Sequence, residues 1–431
     1  MKNYLLLSTV KRFLLVTMAI LCLNPIPVEA QFLKKLGDAL EKIANSGSQT
    51  STSNSKNESS NSSISKSKYE PLYKIHTTTN TKKMVIRGGA SQLCPFSCGV
   101  ALVNPRHGQW FVIDKQGNKL YELPEGYMPC GVKFDHERLI LTSSSDSWSS
   151  GNFIIIDTRG AIVKDLGKLY SSSSIIDGVA RITIYQNSQI KTNYIDYNGN
   201  VISRTLPNSK LYKLHDGMRI FGHENHGEYG YCDANCQVII PDQFRNVDDF
   251  HNGLAAAQNN DALWGFIDKT GCWVIQPQFS IYPTAFEGSY SLVKDKSGCK
   301  YFMNKQGDFI WKDPNPNESK NVRTFMSTGF AVWSYDGGRK NYLIDSSFKK
   351  TALISEDIPF GSGEVVDYNN QYFQWKWNHV GHINRIIDWK GNTLLEFGGD
   401  AIMSEGVCFI RNEYYFTDRG EIIIMFEDTK F

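Results

Sequence analysis

A pattern that recurs about every 38 residues constrains the fold of this chain more than any other feature. Each copy is a short apolar segment that ends in an acidic or amide residue and a tight turn. The nine copies reach their turns at Asp114, Asp157, Asp196, Asp233, Asp268, Asn304, Asp345, Asp388 and Asp418. Asp and Asn side chains accept backbone hydrogen bonds in such turns, and a following glycine supplies a left-handed residue. The chain after residue 90 is therefore predicted to be an array of antiparallel hairpins.

A second mark stays in phase with the first. It is an apolar residue, a few polar or small residues and a glycine, placed about 15 to 25 residues before each acidic turn, except that the copy before Asp157 has Arg138 in place of the glycine. Clear copies are Phe250-His251-Asn252-Gly253, Leu214-His215-Asp216-Gly217 and Phe286-Glu287-Gly288. Residues 247–279 hold the cleanest unit, with three short apolar stretches separated by turns. This unit predicts a small antiparallel meander.

The cleanest unit resembles the WG repeats, also called KWG repeats, of bacterial proteins. Its motif residues are Trp264-Gly265-Phe266-Ile267-Asp268, Gly271, Val274-Ile275, Pro277 and Phe279. A second good copy contains Tyr229-Gly230-Tyr231-Cys232-Asp233, Val238-Ile239, Pro241 and Phe244. The resemblance covers about residues 90–431, although the other units lack the Trp-Gly pair. It implies an interaction protein or an envelope-associated protein, and it assigns no catalytic residue, cofactor or metal ligand.

The unit length predicts an all-β fold, a β-propeller-like array of seven to nine blades, because propeller blades span roughly 40–45 residues. Residues 100–103, 153–156 and 422–425 are apolar on both faces, as strands buried between neighbouring blades require. A β-solenoid-like stack is the alternative, but each of its walls has one solvent-exposed face, so apolar and polar residues should alternate more regularly along its strands. Residues 81–89 and 421–431 are candidates for closing the ring.

The N-terminus is predicted to be a signal peptide, residues 1–30. Lys2, Lys11 and Arg12 form a basic flank before an apolar run at residues 13–23, and cleavage after Ala30 would leave Gln31 first. A membrane anchor is the alternative, but spanning helices need roughly 20 apolar residues. A lipid-modified Cys22 is a further alternative, disfavoured because Leu21 stands where a small residue is needed. The sequence therefore predicts an exported protein, periplasmic, cell-surface or secreted, without an integral membrane span.

Three further segments follow the signal peptide. Residues 31–45 predict a short amphipathic helix, either a docking element or a leader helix packed on its own domain. Residues 46–68 form a Ser/Asn-rich linker with too few apolar side chains to fold. Residues 69–431 form the WG-repeat domain. The formal net charge of +2 provides no broad field for nucleic acid, which we exclude as a partner.

Four cysteines are candidate disulfide partners. Cys232 and Cys236 flank one tight turn, and Cys94 and Cys98 have the same spacing around Pro95. An exported protein permits disulfides, although buried free thiols or a metal site built from both pairs are alternatives. The pattern leaves these three possibilities open.

Other polar or aromatic clusters have simpler interpretations. The spacing of His223 and His226, and of His379 and His382, does not place both rings on one metal ion from a strand or loop. Residues 196–200 superficially resemble a calcium loop but occupy the ordinary turn of their repeat. The aromatic stretch 368–377 is either a carbohydrate platform or, as we favour, part of a blade core.

The sequence thus predicts a non-enzymatic binding or interaction scaffold at the cell envelope, with no catalytic, cofactor or metal site. Its expected partner is a protein or an envelope polymer, and its oligomeric state is open. The alternatives are a glycan-processing enzyme with its site on propeller loops, and a purely structural spacer. Fold alone does not choose among them.

Overall fold

The computed structural model describes residues 71–143, 150–203, 206, 212–222, 228–314, 329–335, 340–355, 364–367, 372–376, 383–398, 403–410 and 412–429. The predicted signal peptide, amphipathic helix and linker lie outside these residues. The described part of the chain consists of strands joined by turns. It contains no helix of the length and apolar character that crossing a membrane requires.

The strands form nine sheets, which we call blades 1 to 9 in chain order. Strand β1 (His76–Arg87) comes first in the chain but belongs to blade 9. Blade 1 contains β2 (Ala90–Leu93), β3 (Val100–Pro105), β4 (Phe111–Asp114) and β5 (Lys119–Glu122). Blade 2 contains β6 (Met128–Pro129), β7 (Arg138–Thr142), β8 (Gly151–Asp157) and β9 (Ile162–Leu169). Blade 3 contains β10 (Ser171–Ser172), β11 (Val179–Gln186), β12 (Gln189–Asp196) and β13 (Val201–Ser203).

The middle of the chain continues the same order of strands. Blade 4 contains β14 (Leu214–His215), β15 (Met218–Gly222), β16 (Tyr229–Cys232) and β17 (Val238–Phe244). Blade 5 contains β18 (Asn246–Val247), β19 (Leu254–Gln258), β20 (Trp264–Asp268) and β21 (Trp273–Phe279). Blade 6 contains β22 (Tyr290–Lys294), β23 (Lys300–Asn304) and β24 (Phe309–Lys312).

The last three blades complete the array. Blade 7 contains β25 (Ala331–Tyr335), β26 (Lys340–Ile344) and β27 (Lys350–Ser355). Blade 8 contains β28 (Glu364–Asp367), β29 (Tyr372–Lys376), β30 (Ile383–Asp388) and β31 (Thr393–Gly398). Blade 9 contains β32 (Val407–Ile410), β33 (Tyr414–Thr417) and β34 (Glu421–Thr429), with β1 as its fourth strand.

A hydrophobic cluster joins each blade to the next, and a ninth cluster joins blade 9 to blade 1. At the seam between blades 1 and 2, Val100 and Leu102 face Leu139 and Leu141. The alternate residues of the same strand, such as Ala101, face blade 9 and contribute to the closing cluster. The remaining seams have their own clusters. The described residues therefore form a nine-bladed β-propeller, and the predicted fold class is confirmed.

The two ends of the chain close the ring. Strand β1 pairs with β34 in parallel, with Lys83 opposite Met425 and Arg87 opposite Thr429. Hydrogen bonds within a blade are otherwise antiparallel, so blade 9 is completed by a strand of opposite sense. Within the predicted closing segments, 81–89 and 421–431, residues 82–87 pair with residues 424–429 in this sheet. β1 also protects the edge of β34, which would otherwise be open to pairing with another chain.

Strand β34 departs from the prediction that residues 422–425 are buried on both faces. Ile422 and Ile424 are buried, whereas Ile423 and Met425 are only half-buried. The strand lies third in its blade, next to the exposed strand β1, where a neighbouring blade covers one face more fully than the other. Residues 100–103 and 153–156, in central strands, are buried throughout as predicted.

The acidic turns connect the last two strands of each blade. In blade 5, the backbone N–H groups of Thr270 and Cys272 donate to Asp268 Oδ1 over 2.8 and 3.1 Å. The same pair of bonds recurs in the other copies, with Asn304 taking the role in blade 6. The prediction that Asp418 forms the ninth turn is wrong. Thr417 holds that turn instead, because its hydroxyl oxygen accepts the bonds from residues 419 and 421.

The glycine of the Trp-Gly pair is required by a bulge in the neighbouring strand. Trp264 lies opposite Phe279 and Phe266 opposite Ile275, so β21 carries extra residues at this point. A Cβ atom on Gly265 would lie 2.5 Å from the carbonyl oxygen of Ile275 and 2.8 Å from the nitrogen of Pro277. The two separated parts of the motif, Trp-Gly and Val-Ile-x-Pro, are therefore one packing unit.

Candidate functional site

One end of the ring, which we call the turn end, carries both the acidic turns and the turns between the first two strands of each blade. In blades 1 to 5 and in blade 9 the latter are two-residue turns with both central residues in the left-handed region, as type I′ turns require. In blade 5 these are Asn252, with φ of 53°, and Gly253, with φ of 89°. In blade 4 they are Asp216, with φ of 52°, and Gly217, with φ of 79°. The second sequence mark is therefore a hairpin turn.

Among the described residues, polar bonds join the turns of blades 1 to 5 and of blade 9 to the next blade. The N–H of Gly253 donates to Asp216 Oδ2 over 2.6 Å, and Lys269 Nζ lies 3.1 Å from Asp216 Oδ1. Burial alone would raise the pKa of Asp216, but these two partners outweigh it and lower the pKa below its ordinary value. Glu405 joins blade 9 to blade 1 in the same way through Gly99 and Lys115. The turn end is thus a connected rim.

Two histidines and an aspartate converge on this rim where blades 4 and 5 meet. His215 and His251 occupy the same position, the residue before the left-handed pair, in consecutive blades. Their ring centroids are 5.3 Å apart, and His215 Nε2 lies 3.3 Å from Asp249 Oδ2. One ligand atom from each of His215, Asp249 and His251 lies within 4.8 Å of the others. Each of the three side chains is roughly two-thirds buried.

Neighbouring groups hold the aspartate loop and give the cluster its charge. Tyr231 donates its hydroxyl to the Asp248 carbonyl over 2.6 Å, and the Tyr282 hydroxyl donates to the Asp248 carboxylate. Burial raises the pKa of Asp249 above its ordinary value, His215 opposes this increase, and Asp248 adds to it. On the other side, Glu287 Oε1 lies 3.6 Å from His251 Nδ1.

A groove lies on the same pair of blades. It has a volume of about 280 Å³ and is lined by Gln243, Phe244, Asn259, Asn260, Gly271 and Trp273. Gln243 and Asn260 are exposed, whereas Phe244 is buried and meets Trp273 edge to face at a centroid distance of 5.5 Å. The groove therefore combines free amide groups with a fixed aromatic surface. It is bounded by β17 and by the acidic turn of blade 5.

The structure brings the first predicted cysteine pair together. Cys232 and Cys236 are free, buried thiols at the seam of blades 3 and 4. The hydrogen bond between them raises the pKa of Cys232 and lowers that of Cys236. Cys236 also takes the left-handed position of its turn, with φ of 59°, where most copies have glycine. Their disulfide remains a prediction.

The two cysteines of the second predicted pair lie in different surroundings. Cys94 is a buried free thiol among apolar residues of blades 1 and 2, and this burial raises its pKa to about 12. Cys98 is exposed on the rim, where its sulfur accepts the N–H of Glu137 over 3.4 Å. The structure shows no bond between Cys94 and Cys98, and their disulfide also remains a prediction.

The other candidates are placed as follows. The histidine pairs at 223 and 226 and at 379 and 382 lie outside the described residues. Asp196 forms the ordinary acidic turn, with its Oδ1 accepting the N–H groups of Asn198 and Asn200. In the aromatic stretch 368–377, the described Tyr372 and Phe373 are buried in the cores flanking blade 8, as the blade-core interpretation predicts.

Sequence reasoning missed the His215–Asp249–His251 cluster. The signal was present, because histidine precedes the turn in two consecutive repeats, as Leu214-His215-Asp216-Gly217 and Phe250-His251-Asn252-Gly253. The two histidines are 36 positions apart in the sequence, and until the repeats are aligned nothing indicates that they are neighbours. The repeat register alone brings them together.

Comparison with known proteins identifies the repeats. The family model for the WG-containing repeat matches residues 229–261 and 264–297, which confirms the predicted resemblance in this part of the chain. A comparison with curated protein sequences finds no significant match.

Several solved structures align with the chain at low sequence identity. A crystal structure of the eukaryotic initiation factor aligns at a TM-score of 0.49 and 9% identity, over 76% of this chain and 92% of that one. BamB from Moraxella catarrhalis aligns at a TM-score of 0.35 and 13% identity, over 66% and 92% of the two chains. Hsv2 from Kluyveromyces lactis aligns at 0.35 and 10% identity, over 56% and 87%.

Proposed function

We propose that this WG-repeat protein is an exported binding scaffold of the cell envelope, which holds an envelope polymer without chemically changing it. The observation that carries the proposal is the groove on blades 4 and 5. The exposed amides of Gln243 and Asn260 offer both hydrogen-bond donors and acceptors, and the adjoining Trp273 offers an aromatic surface. Amides beside an aromatic ring suit a polyhydroxylated chain, whose polar edges and apolar faces alternate.

The setting of the groove favours binding by a rigid surface. Phe244 and Trp273 belong to the hydrophobic cluster that joins the two blades, so the groove walls are fixed before any ligand arrives. A preformed site loses little conformational entropy on binding, which increases affinity for a given contact area. The leader at residues 1–30 supports delivery of this surface to the envelope.

Binding is tested by cosedimentation of the purified chain with isolated, insoluble envelope polymer. The variant Gln243→Ala/Asn260→Ala removes both exposed amides and leaves the packed aromatic residues in place. At a polymer concentration well below saturation, it should reduce the bound fraction about 30-fold, because each amide contributes about 1 kcal/mol. Gln306→Ala is the matched control, because Gln306 is an exposed amide on the acidic turn of blade 6, outside the groove. Equal binding by the double variant and the control would contradict the proposed use of the groove.

Export is tested separately by N-terminal sequencing of the protein recovered from the envelope and medium fractions. The mature chain should begin at Gln31. A chain recovered only in the cytosol with residues 1–30 intact would refute the export part of the proposal. It would leave the groove measurement unaffected.

A further inference from the structure

Two imidazoles and a carboxylate are held close together on the rim by turns and a loop whose conformations do not depend on these side chains. His215 and His251 each precede a type I′ turn, and each turn is closed by a backbone bridge to the fourth residue. The Asp248–Asp249 loop is fixed by the hydroxyls of two tyrosines. The positions of the three side chains are therefore set by the blades, so little conformational entropy would be lost when they bind an ion.

The charge around the cluster favours a cation. Asp248, Asp249 and Glu287 are carboxylates within or beside it, and Asp216 is nearby but already paired with Lys269. Lys213 is the cation whose charge acts on Asp249. Acidic groups thus outnumber the basic side chains that face the two rings. Neutral imidazoles in such surroundings present lone pairs next to negative charge, as a metal ion requires.

We propose that His215, Asp249 and His251 bind one divalent transition-metal ion, with Zn²⁺ as its best match. Zn²⁺ accepts imidazole nitrogen and carboxylate oxygen together, commonly as two histidines and one carboxylate with a fourth position open. Bonds of about 2.0–2.1 Å in a tetrahedron place neighbouring ligand atoms about 3.4 Å apart. His215 Nε2 and Asp249 Oδ2 are already 3.3 Å apart. One ligand atom from each of the three residues lies within 4.8 Å of the others, so a rotation of the His251 ring would complete the set.

The bound ion links blade 4 to blade 5. His215 comes from one blade, and Asp249 and His251 come from the other. Glu287, from the turn of blade 6, stands against the His251 ring and orients it. The ion would therefore act as a clamp across the two blades that carry the groove. This inference does not depend on what the groove binds.

The test is calorimetric titration of ZnCl₂ into the full chain in a non-chelating buffer. The exposed thiols of Cys98 and Cys272 are first replaced by Cys98→Ser and Cys272→Ser, because thiolates bind zinc themselves. We expect saturable binding of one ion per chain and a higher melting temperature in its presence. The variants His215→Asn and His251→Asn should each weaken binding at least about 100-fold, and Glu287→Gln about tenfold.

His136→Asn is the matched control. His136 lies on the same rim in blade 2 and pairs with Asp135 over 2.6 Å, but it does not belong to the three-residue cluster. The control should bind Zn²⁺ like the parent chain. Circular dichroism and melting without metal establish that each variant is folded, and Co²⁺ absorption reports the ligand geometry independently. Absence of saturable binding, or binding that is unchanged in both His215→Asn and His251→Asn, would overturn the proposal.

Discussion

Replacing Gly265 with alanine tests why the repeat contains a glycine inside a buried strand. Gly265 is the second residue of β20, where it is buried opposite the bulge of β21. An added Cβ would lie 2.5 Å from the Ile275 oxygen, 2.8 Å from the Pro277 nitrogen and 2.9 Å from the Trp273 ring. Two of these three neighbours are backbone atoms, which cannot move aside without disturbing the pairing of β20 with β21.

The magnitude follows from the kind of strain involved. Overpacking a closed core typically costs about 1–3 kcal/mol, and contact with rigid backbone places Gly265→Ala near the upper limit, about 3 kcal/mol. Gly253→Ala provides a contrast in the same blade. A Cβ there meets no atom within 4 Å, but the residue has φ of 89°, so the cost is limited to a left-handed backbone, about 1–2 kcal/mol.

Urea unfolding followed by tryptophan fluorescence compares the two variants. Gly265→Ala should lower the unfolding midpoint more than Gly253→Ala, with the slope of the transition unchanged for both. The reasoning is refuted if Gly265→Ala is as stable as the parent chain or loses less stability than Gly253→Ala. Such a result would mean that the bulge moves freely, and that the paired motif is not one packing unit.

Three further changes test the turns and the closure of the ring. Asp268 has a pKa below its ordinary value of 3.8, because hydrogen bonds led by Thr270 outweigh the burial that would raise it. The ionised carboxylate therefore stabilises the fold above pH 3.8, and this stabilisation is lost as pH falls through the folded pKa. In urea titrations, the free energy of unfolding of Asp268→Asn should therefore fall less between neutral and acidic pH than that of the parent chain. Thr417→Asp should raise the free energy of unfolding by about 1 kcal/mol, because a carboxylate is a stronger acceptor than the hydroxyl, whose two bonds are 3.3 Å long; unchanged stability would contradict this role for Thr417. Deleting residues 71–89 removes β1 and exposes the edge of β34, so light scattering should show self-association, whereas a stable monomer would show that the ring closes without it.

Most of the fold was predictable because it rests on local chemistry repeated in phase. An acceptor side chain such as Asp268 and the left-handed residue after it define a turn without reference to the rest of the chain. The nine predicted turns lie in nine blades, the upper limit of the predicted seven to nine. The wrong prediction at Asp418 has the same origin, because the repeated pattern has an acid or amide at this position and Thr417 uses a hydroxyl instead. The parallel sense of β1 was not predictable, because nothing local to that strand specifies its partner.

The candidate sites were less predictable because they depend on contacts between repeats. The groove is lined by Gln243 from one blade and Trp273 from the next. The His215–Asp249–His251 cluster likewise contains residues from two blades. The residues of the groove and of the cluster are far apart in the sequence, and no residue stands out within its own repeat. Only the alignment of one blade on another places the two imidazoles side by side.

The repeat separates positions that define each hairpin from a position whose side chain differs from blade to blade. The acidic turn and the turn between the first two strands define the hairpins, and an acceptor such as Asp216 ties one blade to the next. The residue before the latter turn bonds to its own hairpin through its backbone, so the hairpin itself does not depend on its side chain. Some of these side chains tie blades together, as Asp135 does by accepting the N–H of Gly178. Among the described residues this position holds Ser97, Asp135, Ile176, His215, His251, Glu287 and Ser404.

This variation explains why a specific site arises at one part of a uniform ring. Three successive copies, in blades 4, 5 and 6, place His215, His251 and Glu287 next to one another on the rim. Ile176 and Ser404, at the same position in other blades, have no imidazole or carboxylate to bind a metal ion. A propeller can therefore gain a metal site by substitutions at one position of consecutive repeats, since the backbone has already aligned the side chains. For this reason, substitutions at His215 and His251 should remove metal binding while leaving the nine-bladed fold intact.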